Sequence, residues 1–529
     1  MVDSSYGQPP SIPPVSLRRN IIANFIGKGW SAISWFIFIP VYISQLGIEN
    51  YGLIGLYFSL IALFSILDFG LSITLNRELA SLSALSRTAD RMRTLTRTLE
   101  IIYWVTAVII AIVIIYFAPL IADNWLRTDV LSSESAKVSV MVMGLSIALQ
   151  WPFTLYSGGL MGLQYQVNLN IINVIISTLR TVGAAIVVLW VSKTILAFFI
   201  WQAIISFSQS VFTCVYFWWL LPKGTVKAKF ELAALLDIWK FTAGITGMTT
   251  LGVMLTQVDK IILSHMLSLE VFGYYSLAWM LAGSLYFIVA PINAAFFPQF
   301  SQFVTTKQDD KLCESYHLSS QLVTILVFPL TVLLTLFPKD ILLLWTGDLQ
   351  IATSGYKVLR LLAIGTALNC LMIIPSALQL SYKWIRLGLA FNLVAVVLFI
   401  PLVISVTNSY GVVGAAALWP VLNVSYILIV IPIMHKRILK QEKWIWYWRD
   451  VICPALIVVV IFIAGKSIVN ENLINISGLT SLFFILVASV LGALYMAPLL
   501  REKTAVYVKN YIHDSSFYPF FDKMFNMRK

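Results

Sequence analysis

Runs of about 20 apolar residues, separated by short polar stretches, recur along nearly the whole chain, and that is the length a helix needs to cross the hydrocarbon core of a bilayer. Read with that ruler, the pattern predicts fourteen membrane-spanning helices over 21–46, 51–75, 99–121, 138–162, 169–191, 195–221, 241–266, 273–299, 317–337, 355–380, 387–407, 412–433, 451–468 and 479–499. The polar opening with Pro9, Pro10, Pro13 and Pro14 predicts a disordered tail over 1–20. The apolar run after Arg18 and Arg19 is too long for a signal-peptide core and reads as a retained first span. Pro40, Pro152, Pro291, Pro375, Pro401 and Pro420 fall inside spans and mark kinks, because neighbouring helices can re-satisfy the freed carbonyls.

The pattern also repeats. Ser44-Gln-Leu-Gly-Ile-Glu49-Asn-Tyr51-Gly52 follows the first span, and Ser264-His-Met-Leu-Ser-Leu-Glu270-Val-Phe272-Gly273 follows the seventh, 221 residues later. Six crossings separate the two copies, so both have the same orientation, as in transporters built from parallel repeats. The expected architecture is an all-α polytopic membrane protein: a six-helix bundle over 21–221, a linker over 222–240, a second bundle over 241–433, two additional helices over 434–499 and a tail over 500–529.

Composition closes off a soluble fold. Hydrophobic residues make up 59% of the 529 and charged residues 11%, against about 45–50% and about 25% in ordinary globular proteins. The net charge of +12 would suggest a nucleic-acid partner in a soluble protein, but its placement gives another meaning. With the N-terminus inside, the inner loops and tail collect 26 Lys and Arg and the outer loops 5. That asymmetry is the positive-inside signal for a protein with both termini in the cytoplasm. Trp444, Trp446, Tyr447 and Trp448 beside Lys443 and Arg449 read as an interfacial aromatic belt.

Enzyme chemistry is not visible. Gly465-Lys466-Ser467 lacks the first glycine of a phosphate loop, Val460 standing in its place. Cys214, Cys313, Cys370 and Cys453 are widely spaced, which indicates neither a disulfide framework nor a zinc site. The outer loops are too short to hold a sugar and catalytic groups, so a mover of substrate is favoured over a polysaccharide polymerase or ligase. Charges inside spans are costly and each is a functional hypothesis. Leaving aside the outermost three residues of each span, they are Lys28, Asp68, Arg180, Asp259, Lys260 and Arg360. Arg180 lies near mid-span and suits an anionic phosphate or pyrophosphate, or else a structural pair with a carboxylate. Lys28 and Asp68 lie at similar depth on adjacent spans, either neutralising each other or dividing into a cavity cation and an ion-coupling acid. Asp259 and Lys260 are about 100° apart on their helix, so they are expected to face different ways, with Arg360 a possible partner for Asp259.

Several segments resemble a known family. Leu46-Gly-Ile-Glu49-Asn-Tyr-Gly-Leu53, Leu67-Asp-Phe-Gly-Leu71 and Asn76-Arg-Glu78 are similar to the opening of bacterial polysaccharide transporters, as are Gln257-Val-Asp-Lys-Ile-Ile-Leu263, Phe272-Gly-Tyr-Tyr-Ser-Leu-Ala278 and Phe297-Pro-Gln-Phe-Ser301 in the second half. The resemblance covers 18–435 and is to the Wzx-type O-antigen flippases of the multidrug/oligosaccharidyl-lipid/polysaccharide superfamily. It implies a flippase of the bacterial inner membrane that carries undecaprenyl-pyrophosphate-linked oligosaccharide to the periplasmic leaflet. It further implies alternating access, coupling to an H⁺ or Na⁺ gradient with no other cofactor, and a polysaccharide polymerase and chain-length regulator as partners. On that reading Arg180, Lys28, Arg360 and Lys260 meet the substrate, while Asp68 and Asp259, the acids deep in spans, couple the ion. A multidrug extruder of the same superfamily is the nearer alternative.

Overall fold

The computed structural model describes residues 17–83, 85, 88–128, 131–466 and 476–504, and it excludes some side chains of the first and seventh spans. The expected tails therefore fall largely outside the described residues, as do the side chains of Lys28 and Lys240. The described chain is helical, its one β feature being an isolated bridge between Arg127 and Ser268. It divides into two compact units, Met1–Gly273 and Tyr274–Lys529. The linker that follows the first six spans does not mark this division, because the seventh span packs with the first unit.

The first unit holds α1 (Leu17–Leu46), α2 (Ile48–Phe64), α3 (Leu71–Ser83), α4 (Ala89–Leu120), α5 (Ser133–Gly162), α6 (Gln166–Ile186), α7 (Ile195–Leu220) and α8 (Leu232–Met266). The helix α9 (Leu269–Gly283) begins there. Within the unit α5 packs on α4 and α7, and α1 on α6. The second unit continues with α10 (Tyr286–Thr306), α11 (Asp309–Leu336), α12 (Pro338–Thr346), α13 (Leu349–Ser381), α14 (Arg386–Ser425), α15 (Ile431–Arg437), α16 (Lys443–Ile445), α17 (Cys453–Lys466) and α18 (Ile476–Met496). Its core runs from Phe296, Phe300 and Tyr316 through Ile374 to Trp446, Val458 and Phe462, so the additional C-terminal helices share one apolar interior with α10, α11 and α13. Outward faces stay apolar: Val105, Val108, Ile109 and Ile112 on α4, and Phe483 and Phe484 on α18, are exposed. That is the surface a lipid-facing helix presents, since backbone polar groups are satisfied within the helix itself.

Twelve helical segments among the described residues are long and apolar enough to cross a bilayer. The longest, Arg386–Arg437, contains the expected spans 387–407 and 412–433, and Gly411 (φ 61°, ψ −152°) breaks the helical path between them. As one helix its 52 residues would reach about 78 Å, more than twice a hydrocarbon core. The expected span 51–75 is not one helix. The chain turns at Asp68, where Phe69 and Gly70 are left-handed (φ 47° and 72°), and α3 starts afresh at Leu71.

The two copies of the repeated motif meet. A Cβ at Gly52 would run into the Leu269 carbonyl oxygen, and a Cβ at Gly273 into the Ile48 carbonyl oxygen. Each glycine thus lets the start of one helix, α2 or α9, lie against the backbone of the other. The contact is reciprocal, as expected of two copies of one motif.

Candidate functional site

Arg180 sits well inside α6, away from both ends of the Gln166–Val191 span. Its guanidinium is half-buried and is held by neutral groups. Nη1 donates to Gln202 Oε1 (3.1 Å), Ser206 Oγ (3.3 Å) and Gln150 Oε1 (3.4 Å), and Nη2 donates to Gln209 Oε1 (2.9 Å). Gln202, Ser206 and Gln209 are i, i+4 and i+7 on α7, one buried stripe on an otherwise apolar helix. The network extends from Ser206 to Ser146 Oγ on α5 (3.3 Å) and from there to the Tyr57 hydroxyl on α2 (2.9 Å), all buried. Among the described residues no carboxylate pairs with Arg180 and its Nε has no protein partner. The polar cradle orients the guanidinium while leaving its charge uncancelled and a donor available to an anion.

Asp68 stands at the break between α2 and α3, not within a continuous helix. Its Oδ1 accepts from the Tyr103 hydroxyl of α4 and its Oδ2 from Ser72 Oγ (2.9 Å). No described cation pairs with it, and the expected partner Lys28 lies outside the described side chains. Asp259 and Lys260 depart from the expectation that they face different ways. Both are buried, and the flexible lysine stem folds back so that Nζ comes within 3.5 Å of Asp259 Oδ1 and also donates to the Thr256 carbonyl. An exposed ammonium would keep its water; a buried one turns to the nearest carboxylate and carbonyl. Arg360 is exposed on α13, where its Nε donates to the Thr335 carbonyl of α11 (2.9 Å). Within its own unit Arg180 is thus surrounded by neutral polar groups.

Asp68 and Asp259 are not the only buried acids. Glu100, about three turns into α4, accepts at Oε1 from the Tyr156 hydroxyl (2.7 Å) and Trp218 Nε1 (2.8 Å), and its other oxygen pairs with Arg97. Arg97 and Arg93 also lie over the Trp218 ring, 4.8 and 5.1 Å from its centroid. Asp450 is fully buried and joined to His317. Both acids lie at the edge of an expected span, 99–121 or 451–468, beside the charges Arg97 and Arg449. The α7 stripe consists of polar residues at helical spacing, a pattern that a search by charge alone passes over.

The family model described as polysaccharide biosynthesis protein matches residues 17–304, and the one described as MatE matches 245–404. No curated protein sequence matches the chain significantly. Solved structures share the fold. An inward-facing multidrug resistance MATE family transporter of the MOP superfamily has TM-score 0.64 at 16% identity, covering 79% of this chain and 96% of its own. The lipid II flippase MurJ in an inward closed conformation has TM-score 0.62 at 13% identity, covering 93% and 99%. The MATE multidrug transporter DinF-BH, solved as a complex, has TM-score 0.56 at 18% identity, covering 83% and 99%. These neighbours are transporters and a flippase, not enzymes. The helices of this chain are laid out as in those structures, and with a family model spanning more than half the sequence the chain belongs to the polysaccharide biosynthesis protein family.

Proposed function

We propose that the chain flips an undecaprenyl-pyrophosphate-linked oligosaccharide, the repeat unit of an O-antigen or related polysaccharide, from the cytoplasmic to the periplasmic leaflet of a bacterial inner membrane. Both termini lie in the cytoplasm on this reading. The observation that carries it is Arg180: a guanidinium deep in a span, positioned by Gln150, Gln202, Ser206 and Gln209 and matched by no described carboxylate. A cation kept at such cost calls for an anion that arrives with the substrate, and a pyrophosphate offers the oxygens a guanidinium binds in pairs. The likeness to MurJ, which extends further along the chain than the MATE likenesses, supports a lipid-linked cargo.

An H⁺ or Na⁺ gradient supplies the energy, with Asp68 as the group that takes up the ion. Its carboxylate receives hydroxyl donors from Tyr103 and Ser72, whereas Asp259 already has Lys260 as counter-charge. Lys260 is then a structural cation, and Lys28 and Arg360 remain further substrate contacts to test. Export of cationic drugs is the second reading, favoured by the MatE match over 245–404; an uncancelled Arg180 would repel such a cargo. A polymerase and a chain-length regulator are the expected partners. In the host bacterium, Arg180→Ala should abolish surface polysaccharide and let the lipid-linked unit accumulate, with the amount of inserted protein unchanged. Normal surface polysaccharide in that strain would contradict the proposal.

A further inference from the structure

The start of α11 and the turn before α16 hold a cluster that the transport reading does not use. Cys313 and His317 are i, i+4 on one face of α11, and Glu442 reaches them from the turn that ends at α16. The backbone delivering Glu442 is held in an unusual path, with Leu439 and Gln441 at φ 49° and 76°, a conformation non-glycine residues adopt at a cost of about 1–3 kcal/mol. The thiol sulfur, an imidazole nitrogen and a carboxylate oxygen lie within 4.8 Å of one another. His317 Nε2 is 3.1 Å from Glu442 Oε2. Ligands bound tetrahedrally to zinc at about 2.0–2.3 Å lie roughly 3.3–3.7 Å apart, so a small adjustment closes the three donors onto one ion.

The opposite edge of the imidazole sets its chemistry. His317 Nδ1 is bonded to Oδ2 of the fully buried Asp450, whose Oδ1 accepts from Gln321 Nε2 (2.8 Å). A proton shared on that side leaves the Nε2 lone pair facing a carboxylate oxygen, an arrangement that repels unless a cation lies between. Histidine metal ligands are oriented in this way by an outer carboxylate. A proton on Nε2 would join only His317 and Glu442, whereas a metal ion engages the Cys313 sulfur as well. Cys313 and Glu442 are partly exposed while His317 is buried, which provides an entry path and room for water as a fourth ligand.

We propose that Cys313, His317 and Glu442 bind one transition-metal ion, zinc by the softness of the sulfur and imidazole donors, which clips the turn before α16 onto α11. The ion would thereby anchor the additional C-terminal helices to α11. Cobalt added to chelator-stripped, full-length protein in detergent is the probe, read by its thiolate-to-cobalt charge-transfer absorption and by competition with zinc. One equivalent should bind, with the band lost in Cys313→Ser and kept in Cys453→Ser. Asp450→Asn should weaken binding about 10–100-fold with the band retained, and Glu442→Gln, on the partly exposed turn, should weaken it at least about tenfold. Absence of the band in the wild-type protein, or a band and affinity unchanged by Cys313→Ser, would overturn the proposal. If Cys313→Ser does not fold, unchanged affinity in Glu442→Gln overturns it instead.

Discussion

Every hydrogen-bond partner of the Arg180 guanidinium is neutral, whereas Lys260, the other described cation of the first unit's interior, has Asp259 at 3.5 Å. On the proposed function, that contrast divides the charges inside spans into those that meet a ligand and those that stabilise packing. Breaking a buried ion pair from one side costs about 3–5 kcal/mol, while replacing both members with apolar residues is often close to neutral. Asp259→Asn alone should therefore lower the thermal stability of the purified protein by much more than Asp259→Leu combined with Lys260→Met. Equal losses in the two variants would show that the pair contributes little. Asp68 behaves differently because its donors are hydroxyls. Asp68→Asn should leave the protein folded but remove the dependence of transport on the ion gradient, measured as flipping with and without an imposed gradient; a gradient response equal to wild type would rule Asp68 out as the coupling site.

At the level of helices, the hydrophobic pattern carried most of the information. Apolar runs of bilayer length fall on all twelve candidate segments among the described residues, because lipid leaves a backbone no alternative to internal hydrogen bonding. The expected count of fourteen is not reached, two runs sharing Arg386–Arg437 and the run 241–266 not being among the twelve. What it missed were breaks within apolar sequence: the turn at Asp68 to Gly70, and the start of α3 where a continuous span was expected. Hydropathy averages over such breaks, while backbone dihedrals register them. The repeated Glu-x-(Tyr/Phe)-Gly pointed to two equivalent helix starts, but only the structure gives the reason for its glycine, a reciprocal backbone contact at Gly52 and Gly273. Side chains there have backbone, not a flexible side chain, to displace. Gly52→Ala and Gly273→Ala should each destabilise by about 1–3 kcal/mol, as overpacking does, read as a lowered melting temperature in detergent. Wild-type melting in both would mean that the two helices separate freely. For the candidate site, Arg180 was legible as a mid-span charge, whereas its neutral cradle was not, because Gln and Ser carry no charge signal and owe their role to the way α5, α6 and α7 pack.

For the whole molecule, the exposed apolar helix faces and the family match fit a polytopic membrane protein of polysaccharide biosynthesis. On the expected topology most of the +12 net charge is orientation signal, and the proposed function leaves few charged side chains inside the bilayer to handle cargo. The central claim is that the chain moves a pyrophosphate-linked lipid and that Arg180 is what meets the pyrophosphate. Reconstitution into liposomes with a fluorescent undecaprenyl-pyrophosphate oligosaccharide, followed by a reagent that reaches only the outer leaflet, tests it most directly. The wild-type protein should make the inner-leaflet lipid accessible without altering the sugar, and Arg180→Ala should fall to the protein-free rate. Translocation unaffected by Arg180→Ala, or polymerised sugar with no translocation, would contradict it.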